Sequence, residues 1–239
     1  MAELVAGVDG CRGGWIAVLA PLSGGLAEAR LHRTFAEVLE TEARIIAIDV
    51  PIGLPERAIK GGRQACNEAR SRLGARQSSV FSVPARSVLK ARSYEDACAI
   101  NLENSDPPRK IAKQTFNILA RIAEVDALMT PALQARVFEC HPELAFWAMN
   151  RERPLIQPKK VKSRPYEEGM QLRRHLLAKA GLEIPEPPAP VAGINFGEDD
   201  LLDACACAVT ARRIAAGAAR RLPADPPCDA RGLYMAITC

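Results

Sequence analysis

Three carboxylates stand at the ends of apolar runs in this chain. Asp9 closes the run 4–8, Asp49 closes 45–48, and Glu139 comes near the end of the β-branched and aromatic stretch 135–140. Residues that stop a strand follow each one at once: Gly10, Gly13 and Gly14 after the first, Pro51 and Gly53 after the second, His141 and Pro142 after the third. If the three runs are neighbouring parallel strands, about 4.8 Å apart, their terminal acids converge on one point. Carboxylates crowded in this way repel one another, and a shared proton or a divalent cation relieves the repulsion. Hard oxygens with no need of thiolate or imidazole favour Mg²⁺ or Mn²⁺ over zinc. A fourth acid, Asp203, sits in the helical pattern 198–216, on a face that continues through the small residues Ala206, Cys207 and Thr210 and can approach a sheet closely. Asp9, Asp49, Glu139 and Asp203 are therefore the candidate metal ligands and catalytic acids. Taken singly, Asp9 and Asp49 could be turn formers, and Asp199 and Asp200 complement the positive end of a helix. The combination, rather than any one acid, points to a metal site.

The elements that must position these acids can be read from the pattern. Runs 4–9 and 15–22 around a glycine-bearing turn form a hairpin, with 29–35 as a third strand at the sheet edge. A short helix over 35–43 leads to 45–49, whose continuous apolar character suits a strand covered on both faces. The middle is helical, over 64–73, 94–102 and 114–129, with a loop at 78–84. Then come the third acid-terminated strand, helices over 143–149 and 167–180, a stiff proline-rich connector at 185–190, the helix 198–216 and a last strand over 233–238. Right-handed crossovers set 4–9, 45–49 and 137–139 parallel, which predicts an α/β fold with a mixed sheet and helices on its faces.

Charge and thiol usage narrow the functional classes. The net charge of +4 does not by itself announce a nucleic-acid binder, but segment 57–92 carries nine basic side chains against Glu68 alone, and segment 151–179 carries nine against three acids. Those segments are either solvated surfaces or cationic walls for a polyanion, with Arg70, Arg76, Lys159 and Lys160 as the candidate nucleic-acid contacts. Eight cysteines without any CxxC read as packed thiols in a reducing compartment, and no apolar run reaches the length of a membrane span. A cytoplasmic protein with no membrane partner is expected. Phe81, Trp147 and Tyr166 could stack on bases, although core packing is the plainer reading for each.

Several blocks occurring in order carry a resemblance: GVDGCRGGW at 7–15, IDVPIGLP at 48–55, ECHPE at 139–143 and DLLDA at 200–204, with SSVFSVP at 78–84 and DARGLYMAI at 229–237. The chain resembles domain-of-unknown-function family 429, regarded as a predicted nuclease group of the ribonuclease H-like superfamily. That resemblance runs from Val5 to near the C-terminus. It implies one ribonuclease H-like domain over 1–239, with a five-stranded mixed sheet of order 3-2-1-4-5, a mostly helical insertion at about 57–132, and an acidic cluster of Asp9, Asp49, Glu139 and Asp203. If those acids hold two Mg²⁺ or Mn²⁺ ions, the chemistry is two-metal hydrolysis of phosphodiesters in nucleic acid. His141, Glu143 and Asp200 are then candidates to orient the ligands or relay a proton from just outside the metal sphere. Two other classes fit the same residues: a noncatalytic nucleic-acid or protein-binding module of this fold, and an actin-like ATP-dependent phosphotransferase whose glycine turn 10–14 would cradle phosphates.

Overall fold

A computed structural model describes residues 3–162 and 164–239; Met1, Ala2 and Ser163, which the readings of the N-terminus and of segment 151–179 include, lie outside the described residues. Strands β1 (Leu4–Cys11) and β2 (Gly14–Pro21) pair antiparallel, with Asp9 opposite Ile16. The turn between them needs Gly13, whose φ is +83° and whose missing Cβ would lie 2.0 Å from the Gly193 carbonyl oxygen. β3 (Glu28–His32) pairs antiparallel with β2 at the edge, and the predicted helix over 35–43 is the shorter α1 (Phe35–Leu39). On the other side of β1, β4 (Ala43–Ile48) and then β5 (Val137–Glu139) run parallel to it, which completes the order 3-2-1-4-5.

Alternation along the central strands feeds two cores. Ala6, Val8, Ile46, Ile48 and Val137 face helices α2 (Gln64–Leu73) and α5 (Leu119–Leu128), where Ala65, Ala69, Leu73, Ile122 and Val125 meet them. Val5, Ile45, Ala47 and Cys140 face the opposite layer, built from α6 (Pro142–Met149), α7 (Glu167–Lys179) and α8 (Glu198–Ala215). α8 lies on β1 so closely that a Cβ on Gly7 would stand 2.0 Å from Ala208 N and 2.1 Å from Ala204 O. The small residues of α8 and the bare Cα of Gly7 thus set the depth at which this helix meets the sheet.

Between β4 and β5 the chain is mostly helical, as its pattern predicts, and α3 (Tyr94–Glu103) helps build a separate apolar cluster from Ala58, Ala85, Val88, Ala97, Cys98, Ile111 and Leu119. The periodicity over 114–129 predicts one helix, but there are two, α4 (Lys113–Asn117) and α5, because Ile118 leaves helical geometry at φ −105° and ψ 2°. The last strand is shorter than its apolar run suggests. Asp229 Oδ1 accepts from Arg231 N and Leu233 N, turning the chain, so that Ile237–Thr238 pairs with Arg221–Leu222 while Tyr234 makes an isolated bridge to Cys228. Among the described residues no helix is long and apolar enough to cross a membrane. All eight thiols are free and only Cys228 is exposed.

Candidate functional site

Asp9 and Asp49 come together because the β1–β4 ladder continues to its end. Val8 pairs with Ile48, and Asp49 N donates to Val8 O at 3.0 Å. Each acid stands two residues beyond a residue on the α8 side of the sheet, Gly7 or Ala47, so both belong to that side. Asp203, on the first half of α8, reaches the same strand ends and is only 3% exposed. Asp9 Oδ1 accepts from Gly10 N at 2.8 Å, a bond that fixes its carboxylate at the turn.

The charges in this cluster are uncomfortable. Burial, then the neighbouring charges of Asp49 and Asp203, hold the Asp9 carboxyl well above the ordinary carboxylate range. Asp203 is pushed up to about 6, chiefly by burial, with Lys159 opposing the shift and Asp49 adding to it. Asp49 is raised by burial, moderated by His141 and Lys159. The counter-charge is Lys159: burial disfavours its ammonium, but Asp203 and Asp9 raise its pKa and keep it protonated. Lys159 Nζ donates to Asp203 Oδ2 and lies 3.7 Å from Asp199 Oδ2, while Lys160 Nζ lies 2.6 Å from the same Asp199 oxygen. Gly169 of α7 lets the segment bearing these lysines lie on the helix, since a Cβ there would meet Pro158 O at 1.9 Å. Arg173 Nη1 donates to Gln157 O at 3.2 Å and braces the same segment.

Glu139 takes a different position. It pairs in register with Ile48, one residue short of Asp49, and a one-residue offset turns a strand side chain to the other face. There it forms a buried ion pair with Arg63, whose Nη1 and Nη2 lie 2.8 and 2.5 Å from its two oxygens, and it accepts from Ile52 N at 2.7 Å. Burial still raises its pKa, against the pull of Arg63. In the sequence Arg63 is one cation of a basic segment, and a lone arginine 76 positions from its partner gives no signal of pairing.

A cavity of about 280 Å³ opens over the cluster, lined by Asp49, Asp203, Glu143, His141, Ser79, Arg76, Lys159 and Lys160. Both basic segments therefore contribute walls to one acidic cavity. Arg76 makes no ion pair among the described residues and its buried Nε has no partner. Arg70 is differently employed: its donors go to Val80 O, Gly61 O, Asn67 Oδ1 and Ser82 Oγ, bracing the loop 78–84. His141 Nε2 lies 3.3 Å from Ser79 O while its buried Nδ1 is unpartnered. Glu143 accepts from Arg173 Nη2 at 2.5 Å through Oε1, leaving buried Oε2 without a partner. Asp200 caps α8, accepting from Gly197 N at 2.8 Å, and burial raises its pKa. Asp199, read from sequence as a helix-end charge, is buried and anchors both lysines; its spacing of four from Asp203 was the available signal.

The donor set suits a hard divalent cation: three carboxylates share one ammonium, and an orphaned Glu143 oxygen lines the same cavity. As the side chains lie, no group of three or more His, Cys, Asp or Glu among the described residues is placed to hold a metal ion. Lys159 supplies the positive charge there. The glycine turn 10–14, by contrast, is filled by protein. Gly10 abuts Arg121, and Gly13 and Gly14 abut Gly193 and Ile194, where a phosphate would need open space.

A mixed sheet of order 3-2-1-4-5 flanked by helices, with acids at the C-terminal ends of its central strands, defines a ribonuclease H-like architecture. Residues 7–228 match the family model described as protein of unknown function (DUF429), and the chain belongs to that family. No curated protein and no solved structure matches it.

Proposed function

We propose that this DUF429 protein is a divalent-cation-dependent hydrolase of phosphodiesters in nucleic acid. The observation that carries the reading is the meeting of Asp9, Asp49 and Asp203 in a buried cluster with more negative charge than Lys159 neutralises, beneath a cavity walled by Arg76 and Lys160. Asp9, Asp49 and Asp203 would hold Mg²⁺ or Mn²⁺. The bound cation would supply an activated water and stabilise charge on the leaving oxygen. Arg76, with no carboxylate of its own, and Lys160 at the cavity mouth would hold the phosphodiester. His141 Nδ1 is available to take up or deliver a proton. Glu139, clamped by Arg63 and Ile52 N, acts in this reading as a positioning residue that fixes the turn after Asp49.

The ion pair of Lys159 with Asp203 also favours a second reading, a noncatalytic nucleic-acid-binding module, because a partly self-neutralised cluster does not demand a metal. The test is hydrolysis of labelled single-stranded, duplex, hybrid and branched substrates with Mg²⁺, Mn²⁺ or EDTA, alongside Mn²⁺ binding followed by electron paramagnetic resonance. The wild type is expected to cleave at least one substrate and to bind Mn²⁺. Asp9→Asn should lose most of both, with its fold intact by circular dichroism. Nucleic-acid binding without any cleavage or Mn²⁺ uptake would leave the binding-module reading.

A further inference from the structure

A second cavity, of about 420 Å³, lies on the far side of the loop 78–84 from the acidic cluster. Its volume falls in the range of small-molecule sites, roughly 300 to 1,000 Å³. Three cationic residues line it, Arg70, Arg109 and Lys110, and no Asp or Glu does. Arg70 is committed to the loop, but Lys110 and Arg109 form no ion pair among the described residues, so their charge is free for a ligand. The floor is apolar, from Ala58, Val83 and Ile111, and half-buried Phe81 brings an aromatic ring to the wall.

We propose that this cavity receives one unpaired nucleotide of the substrate, its phosphate held by Lys110 and Arg109 and its base against Phe81. The composition discriminates among ligands. A metal ion would find no carboxylate, a lipid chain would meet too many cations and hydroxyls, and a simple anion would leave the apolar floor and Phe81 unused. An anionic ligand with a flat aromatic part uses all three features. The two cavities are also adjacent: Ser78 lines this one and Ser79 the acidic one, while Val80, Phe81 and Val83 also border a small cavity reaching Asp49 and His141. A strand crossing the loop from the acidic cluster would enter the second cavity directly. The choice of a nucleotide as the anionic aromatic rests on the phosphodiester reading. A base seated there is unstacked from its neighbours, so the substrate class becomes single-stranded or locally unpaired nucleic acid.

The test measures equilibrium binding of nucleoside monophosphates, inorganic phosphate and a labelled pentanucleotide in EDTA, where hydrolysis is stopped, on wild type, Lys110→Glu and Phe81→Ala. Lys110 is exposed, so its charge reversal leaves folding intact, and melting curves control for Phe81→Ala. The wild type is expected to bind mononucleotides saturably and at least about tenfold more tightly than phosphate. Lys110→Glu should weaken them about tenfold, and Phe81→Ala about five- to hundredfold. No saturable mononucleotide binding at millimolar concentration, unchanged affinity in both variants, or phosphate binding as tightly as nucleotide would each overturn the proposal. Cleavage assays separate the two readings. Wild-type cleavage with no effect of these variants sinks the cavity proposal alone, whereas variant-sensitive nucleotide binding with no cleavage of any substrate sinks the hydrolase reading alone.

Discussion

Replacing Asp203 with asparagine should stabilise the metal-free protein, and the gain should depend on pH in a defined way. Asp203 is 3% exposed and its pKa is about 6, raised by burial first, against the help of Lys159. In the unfolded chain the same group titrates near about 3.9. Between about pH 4 and pH 6 the folded form keeps a proton that the unfolded chain has released, so stability falls as pH rises through that window. A difference of about two units makes ionised Asp203 cost on the order of 3 kcal/mol above pH 7, about half of that at pH 5 and little at pH 4. Asparagine has nearly the same shape and stays neutral, so the variant escapes this cost. Lys159, with its side chain 29% exposed, can turn toward Asp199 or solvent when its partner is gone.

The assay is urea or thermal unfolding of wild type and Asp203→Asn in EDTA from pH 4 to pH 8. At about 2 to 4 °C per kcal/mol for a chain of this size, the gap at pH 8 should be on the order of 10 °C and should close towards pH 4. Saturating Mn²⁺ should narrow the gap by stabilising the wild type only, since binding to the folded state adds to its stability. Parallel melting curves across the whole pH range would refute the reasoning. A variant less stable than wild type at pH 8 would show instead that the Lys159–Asp203 ion pair outweighs the desolvation of both charges.

Two further outcomes follow from the packing. Arg63→Met should cost about 3 to 5 kcal/mol, because it leaves the Glu139 carboxylate buried with only the Ile52 N–H for company, and denaturant titration checks this; a loss below about 1 kcal/mol would mean Glu139 simply takes up a proton. Gly7→Ala should cost more than about 3 kcal/mol, since its methyl group meets helix backbone rather than a movable side chain, and a melting point within a few degrees of wild type would contradict the close contact of β1 and α8.

Asp9 and Asp49 were legible in the sequence because two local signals coincide at each: an apolar run that can only be a buried strand, and a stop immediately after the acid. Equal positions past two parallel strands put the side chains on one face without any knowledge of distant contacts. Asp203 was legible for a related reason, since a helix whose face is Ala, Cys and Thr must press on something flat. Glu139 shows where such reasoning ends. Its run also closes in an acid, but the face depends on register, and register is set by hydrogen bonds between β4 and β5 that no local pattern encodes. The basic segments were visible as charge alone. Which cation braces a loop, as Arg70 does, and which remains free, as Arg76 does, depends on carbonyls brought in by the tertiary fold.

The same distinction explains why the cluster is informative about function. A structural acid in a fold of this kind ends in the state of Glu139, with both oxygens claimed by Arg63 and one of them also by the Ile52 N–H. Asp9 and Asp203 are buried to a similar degree, yet Asp9 has one backbone donor and Asp203 one lysine. Packing alone would be better served by asparagine or a small apolar residue at either position. Under the proposed reading, an acid retained where its charge destabilises the fold is what a cation site would require, and binding of the cation would offset that cost.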